Sequence, residues 1–107
     1  MSAPAIDLNR LNEMQAHAQK AAALLKALAN ENRLMILCAL IGGELCVREL
    51  NAKVPLSQSA LSQHLAGLRE ASLVSTRKEA QTVYYRLDST EATQIIAMLQ
   101  SIYCPAI

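Results

Sequence analysis

VRELNAKVPLSQSALSQHLAGLREASL, residues 47–73, decides the fold of this chain. A short helix signal runs into a turn at Pro55, and a second helix follows whose outer face is nearly all Ser, Gln and His. That order is the signature of a helix-turn-helix whose second helix is built to lie against nucleic acid. Leu61, Leu65 and Leu68 recur at helical spacing and form one apolar stripe that faces the domain. Gln58, Ser59, Ser62 and Gln63 fall largely on the opposite side. Short neutral hydrogen-bonding side chains beside a DNA groove reach base edges and phosphates without bulk or charge repulsion. An ordinary solvated helix carries Lys and Glu there more often. Ser57 precedes the stripe and is a good N-cap, because its hydroxyl accepts from an otherwise unpaired first-turn amide.

Outward from this segment, the N-terminal half reads as helices. Leu8, Leu11, Met14, Ala18, Ala22, Leu25 and Leu28 recur at spacings of three and four and predict a long amphipathic helix α1, about residues 8–28. Asn30 stops it and caps α2, roughly Glu31–Leu40, which is expected to bury Leu34, Leu37, Cys38 and Ile41. Gly42-Gly43 breaks that helix. The short helix α3, about Val47–Lys53, closes at Pro55, and α4 follows Ser57.

After Leu73 the period changes from helical to alternating. Val74–Lys78 and Thr82–Leu87 are strand candidates, joined as a hairpin through Glu79-Ala80-Gln81. Tyr84 is expected to support this hairpin and Tyr85 to look inward. Asp88-Ser89-Thr90-Glu91 is a capping-box pattern, with Asp88 as the cap, for a last helix α5, about residues 89–103. Its apolar face holds Ala92, Ile95, Ile96, Leu99, Ile102 and Tyr103. A helix-turn-helix followed by a two-stranded hairpin is a winged helix. The expected fold class is therefore mainly α with a small β-hairpin, as a single winged-helix domain over residues 1–107.

The chain has 107 residues, 52% of them hydrophobic but only 3% aromatic, which points to an aliphatic helical core with apolar surface left for a partner. No apolar run approaches the length of a membrane span, and no charged segment precedes an apolar leader, so a cytoplasmic location away from membranes is expected. The net charge of +1 is small for a DNA binder until it is divided along the chain. Residues 45–87 carry Arg48, Lys53, Arg69, Arg77, Lys78 and Arg86 against Glu49, Glu70 and Glu79, an excess of +3. The positive charge thus sits with the reading segment, as phosphate neutralisation needs. His64 can contact phosphate or base from α4. Arg77, Lys78 and Gln81 belong to the wing and are expected to touch the DNA backbone or minor groove.

The first and last helices offer more apolar face than one small domain needs, so α1 and α5 are the expected homodimer surface. A two-fold dimer sets two recognition helices about 34 Å apart, one turn of B-DNA, so the expected operator is an inverted repeat in double-stranded DNA. An enzyme is not expected: Ser57, Ser59 and Ser62 with His64 lie within one short stretch, without a carboxylate or an oxyanion site.

LLKALANENRLMILCAL, ELCVREL and SQSALSQHLAGLREASLVSTRKEAQTVYYRL together resemble the ArsR/SmtB family of bacterial winged-helix regulators over nearly the whole chain. LSQSALSQHL, TRKEAQTVYY and the C-terminal IYC are similar to the HlyU-like, thiol- and persulfide-sensing subgroup. The resemblance implies a dimer through α1 and α5, and a regulator that leaves DNA when an inducer acts. Metal-sensing members ligate soft ions with two thiolates at the start of α3. Here that segment is Glu44-Leu45-Cys46-Val47-Arg48, and a cation stands at the second thiolate position. Other members use Asp and His ligands on α5, and the histidines of this chain, His17 and His64, lie elsewhere. No metal and no cofactor is therefore expected.

In the redox and persulfide-sensing members, one cysteine of α2 and one of α5 act as a pair, and Cys38 and Cys104 match those positions. The resemblance thus implies reactive sulfur species or oxidants as inducer. The third cysteine, Cys46, packs near the start of α3 or is a spare thiol. Two alternatives remain at this point: a metal- or metalloid-responsive repressor using Cys46 with another thiol, and a winged helix that contacts protein instead of DNA. Whether regulation is repression or anti-repression is open.

Overall fold

The computed structural model describes residues 7–104, so the ends of the 1–107 expectation lie outside the described residues. Five helices and three strands follow in the order α1 (Leu8–Leu28), α2 (Glu31–Leu40), β1 (Leu45–Cys46), α3 (Val47–Lys53), α4 (Gln58–Glu70), β2 (Val74–Glu79), β3 (Thr82–Leu87) and α5 (Thr90–Tyr103). Local chemistry sets most of these boundaries. Asp7 caps α1 by accepting from Asn9 at 3.1 Å, and Asn30 caps α2 by accepting from Asn32 and Arg33 at 2.9 and 3.1 Å. Ser57 Oγ accepts from the Ala60 amide at 3.2 Å. Each cap satisfies donors that a helix start leaves unpaired.

The core lies where α2, α3, α4 and α5 meet the sheet. Ile36, Leu37, Leu40, Leu50, Leu61, Leu65, Leu68 and Ile96 are almost fully buried. The expected stripe of α4 is therefore the buried one, and α3 closes at Val54, itself 1% exposed, before Pro55. The face of α2 differs from expectation: its centre is Ile36, Leu37 and Leu40, while Leu34, Cys38 and Ile41 are half-buried along its margin. Helical spacing alone allows either face, and the position of α4 selects between them.

The wing contains a strand that the sequence did not announce. β1 pairs antiparallel with β3, Leu45 opposite Tyr85 and Cys46 opposite Tyr84, giving the sheet order β1-β3-β2. Two residues are too few to show alternation, and their partners lie far along the chain. The hairpin expectation for β2 and β3 holds, with Glu79 opposite Thr82 and the turn at Ala80-Gln81. Tyr85 packs against the core as expected. The cap of α5 is corrected: Ser89, not Asp88, accepts from Ala92, at 3.1 Å, while the Asp88 amide donates to Leu73 O and anchors the end of β3.

At the C-terminus of α4 the Leu73 amide donates to Leu68 O at 2.9 Å and the Ser72 amide to Arg69 O at 3.0 Å. This is the Schellman arrangement, and it puts Ser72 at φ 62°, where glycine is usual. Ser72→Gly is expected to raise stability by about 0.5–1 kcal/mol, read as a higher urea midpoint at unchanged slope. A lower midpoint would contradict this reading of the turn.

Outside the core, α1 is nearly bare. Every residue from Asp7 to Ala23 is exposed, and only Leu28 at its far end is buried. α5 buries Ala92 and Ile96 but leaves Met98, Ile102 and Tyr103 at 65, 59 and 77% exposure. No helix among the described residues is long and apolar enough to cross a membrane.

Candidate nucleic-acid interface and thiol pair

α4 turns its apolar stripe inward and presents Gln58, Ser59, Ser62 and Gln63 to solvent, with His64 half-buried at the edge of that face. Ser57 is exposed too, but its hydroxyl is engaged as the cap and lies 3.4 Å from Ser59 Oγ. No acidic residue occupies the first turn of α4, so the partial positive charge of the helix start is left uncancelled toward an approaching phosphate. Ala66 continues the exposed strip one turn on. It has no polar atom to attract notice in the sequence, yet its small side chain admits a close approach.

Two features brace the reading helix. Asn51 Nδ2 donates to Leu56 O at 2.7 Å and ties α3 to the turn before α4. Arg33 donates to Ala27 O at 3.3 Å, and its guanidinium fills the space that a Cβ at Gly67 would occupy. Gly67 therefore joins α2 to α4 by letting the guanidinium lie against bare backbone. Arg48 is exposed beside Asn51 and Gln58, in a groove at the α3–α4 junction. The sequence offered it only as a departure from a thiolate motif, and its position adds a cation next to the reading face.

The wing residues separate. Lys78 and Gln81 are exposed near the hairpin end. Arg77 is instead held by the chain itself: its Nε lies 3.1 Å from Glu44 Oε1 and its Nη1 2.8 Å from Glu79 Oε2. Its guanidinium also sits 4.7 Å above the Tyr84 ring, the support expected of that tyrosine. Hydrogen bonding from Arg77 holds the Glu44 carboxyl below the usual carboxylate range.

α2 packs against α5, and this brings Cys38 within electrostatic reach of Cys104. The Gln100 side chain of α5 stands beside Cys38, and Cys104 is felt at Cys38 as a like charge. The Gln100 carbonyl accepts the Cys104 amide at 2.7 Å. Partial burial pushes the Cys38 thiol up from its ordinary value, Gln100 pulls it down, and Cys104 raises it further, for a net upward shift. Cys38 therefore carries less thiolate at neutral pH than a free cysteine, whereas Cys104 is exposed at the end of α5. Gln100 went unremarked in the sequence, although it stands one turn before Cys104. Cys46 is buried in β1 at the start of α3, and its amide donates to Glu49 Oε1 at 2.9 Å. That bond is the main reason the Glu49 carboxyl is held low. Among the described residues no group of three or more His, Cys, Asp or Glu side chains is placed to hold a metal.

Comparison with known proteins places this geometry. Residues 30–76 match the model of the arsR family of bacterial regulatory proteins. The chain is 58% identical over 96 residues to the transcriptional activator HlyU of Vibrio cholerae, covering 90% of this chain and 89% of that one. It is 46% identical to a biofilm growth-associated repressor of Agrobacterium fabrum, over 88% of this chain and 80% of that one. Among solved structures, reduced HlyU from Vibrio cholerae superposes with a TM-score of 0.82 at 59% identity, covering 86% of this chain and 97% of that one.

Proposed function

Because this chain belongs to the arsR family of bacterial regulatory proteins, we propose that it reads an inverted-repeat operator as a homodimer and is released by sulfur or oxidant chemistry at Cys38 and Cys104. It is a DNA-binding transcriptional regulator of the HlyU-like type, and the family is not enzymatic. One observation carries the finer reading: α2 packs against α5, which sets the half-buried Cys38 thiol beside Gln100 and within electrostatic reach of the exposed Cys104. The relatives include an activator and a repressor, so the direction of regulation stays open between repression and anti-repression. That one similar structure is of reduced HlyU fits a protein with a second redox form.

Base readout falls to Gln58, Ser59, Ser62 and Gln63, with Ser57 capping and His64 at the margin. Lys78 and Gln81 supply the wing contact. The switch proceeds in two balanced steps. The exposed Cys104 thiolate attacks the outer sulfur of a persulfide donor, giving Cys104–S–SH and releasing the donor's thiol. The Cys38 thiolate then attacks the Cys104 sulfur, forming a Cys38–Cys104 disulfide and expelling hydrogen sulfide. On a longer chain, Cys104–S–S–SH, attack by Cys38 at the middle sulfur expels the terminal sulfur as hydrosulfide and leaves a trisulfide bridge. The raised pKa of Cys38 suits it to the second, intramolecular step, where high local concentration offsets a low thiolate fraction. The bridge ties α2 to α5, and α2 adjoins α4 through Arg33 and Gly67.

The test is operator binding and intact mass before and after a persulfide donor, for wild type, Cys38→Ser and Cys104→Ser. Treated wild type is expected to lose at least about tenfold in affinity, a coupling within the usual 1–3 kcal/mol, and to lose two hydrogens or gain sulfur. Both variants are expected to keep their DNA. If they release it as readily as wild type, the two-thiol switch is wrong. Zinc or arsenite titration of reduced protein separates the metal reading, which requires tight binding lost in Cys46→Ser.

A further inference from the structure

On the strength of that DNA-reading function, we infer that Arg77 is a wing-positioning residue rather than a phosphate contact, and that its ion pair with Glu44 sets the angle at which the hairpin meets DNA. The charges support this directly. Glu44, Arg77 and Glu79 sum to one negative charge, so the cation expected at the wing is cancelled before DNA arrives. The geometry explains what the pair does instead. Glu44 stands just before β1, whereas Arg77 lies on β2, at the opposite edge of the sheet. Cys46, Tyr84 and Arg77 form one cross-strand row, so the Glu44 carboxylate reaches over the central strand to its partner. The guanidinium packs on the Tyr84 ring beneath it.

β1 leads straight into α3, the first helix of the helix-turn-helix, and the loop before it leaves α2 through Gly42 and Gly43, the latter at φ 141°. With two glycines and nothing packed where their Cβ atoms would stand, that loop contributes little to aiming the wing. The clamp by Arg77 ties β2 to the same residue that enters β1 and α3, so wing and reading head are held as one unit. Arginine suits this role because its planar fork meets Glu44 through Nε and Nη2 while Nη1 reaches Glu79. Lysine has no such fork.

The experiment compares wild type, Glu44→Gln, Arg77→Lys and Arg77→Gln in two assays. The first is amide hydrogen exchange, which needs no DNA. Glu44→Gln and both Arg77 variants are expected to exchange at least about fivefold faster across β2 and β3 while α4 is unchanged. The second is affinity for a duplex selected by wild-type protein from a random-sequence pool, over a range of salt. Glu44→Gln is expected to weaken binding about three- to tenfold although it removes a negative charge, and Arg77→Lys is expected to match Arg77→Gln at an unaltered salt slope. The inference is overturned if wing exchange is unchanged, if Glu44→Gln binds more tightly, or if Arg77→Gln lowers the slope by about 0.9 per protomer while Lys restores wild-type affinity. A wild type that selects no duplex defeats the DNA reading alone, and the exchange assay still decides the clamp.

Discussion

Replacing Ile102 with glutamate is expected to leave a folded chain that no longer holds a partner copy and binds a full operator at least about 100-fold more weakly. Ile102 is 59% exposed and stands beside Met98 and Tyr103, which are more exposed still. A carboxylate there displaces nothing in the core of one chain. In the proposed homodimer the same position is covered by the partner, and an unpaired charge buried in an apolar interface costs several kcal/mol. Two-fold symmetry counts that cost twice. The bareness of α1 argues the same way: a helix exposed from Asp7 to Ala23 has almost nothing in its own chain to stabilise it. Light scattering should show a monomer with wild-type core helicity by circular dichroism. A variant that stays dimeric with unchanged affinity would remove α5 from the interface.

Gln63→Ala is expected to lower affinity for the selected operator by about 5- to 150-fold per half-site, the worth of one bidentate base contact at 1–3 kcal/mol. Its binding to a scrambled duplex and its salt slope should stay as they are, because a neutral amide neutralises no phosphate. Gln63 lies on the exposed side of α4, opposite the buried Leu61, Leu65 and Leu68, so its removal leaves the core intact. Ser62→Ala, which removes a shorter group, should cost less. Equal losses on both duplexes would mean that Gln63 supports binding without reading sequence.

What the sequence made legible is local. The caps at Asn30 and Ser57, the break at Gly42-Gly43 and the stripe of α4 each depend on neighbours within a turn or two, and each stands where expected. What it hid depends on distant partners. β1 exists because Leu45 and Cys46 meet Tyr85 and Tyr84 across the sheet. The buried face of α2 was misjudged for the same reason: Ile36 is fully buried and Cys38 only half, a choice made by the helix packed opposite. Ser89 takes the cap expected of Asp88, and the Asp88 amide bonds instead to Leu73 O, a partner far along the chain. Arg77 was recognisable as a wing cation, but nothing near it in sequence revealed that Glu44 would claim it. The pairing of Cys38 with Cys104 is an expectation from family likeness, while the place of Gln100 beside Cys38 depends on how α5 packs on α2.

The most direct test of the account is the affinity of reduced wild-type protein for its selected duplex and for a scrambled duplex of equal length, between about 50 and 200 mM salt. The account predicts a preference of at least about 1,000-fold for the selected sequence, with affinity for both duplexes falling steeply as salt rises. Equal affinity for the two duplexes, or binding indifferent to salt, would contradict it.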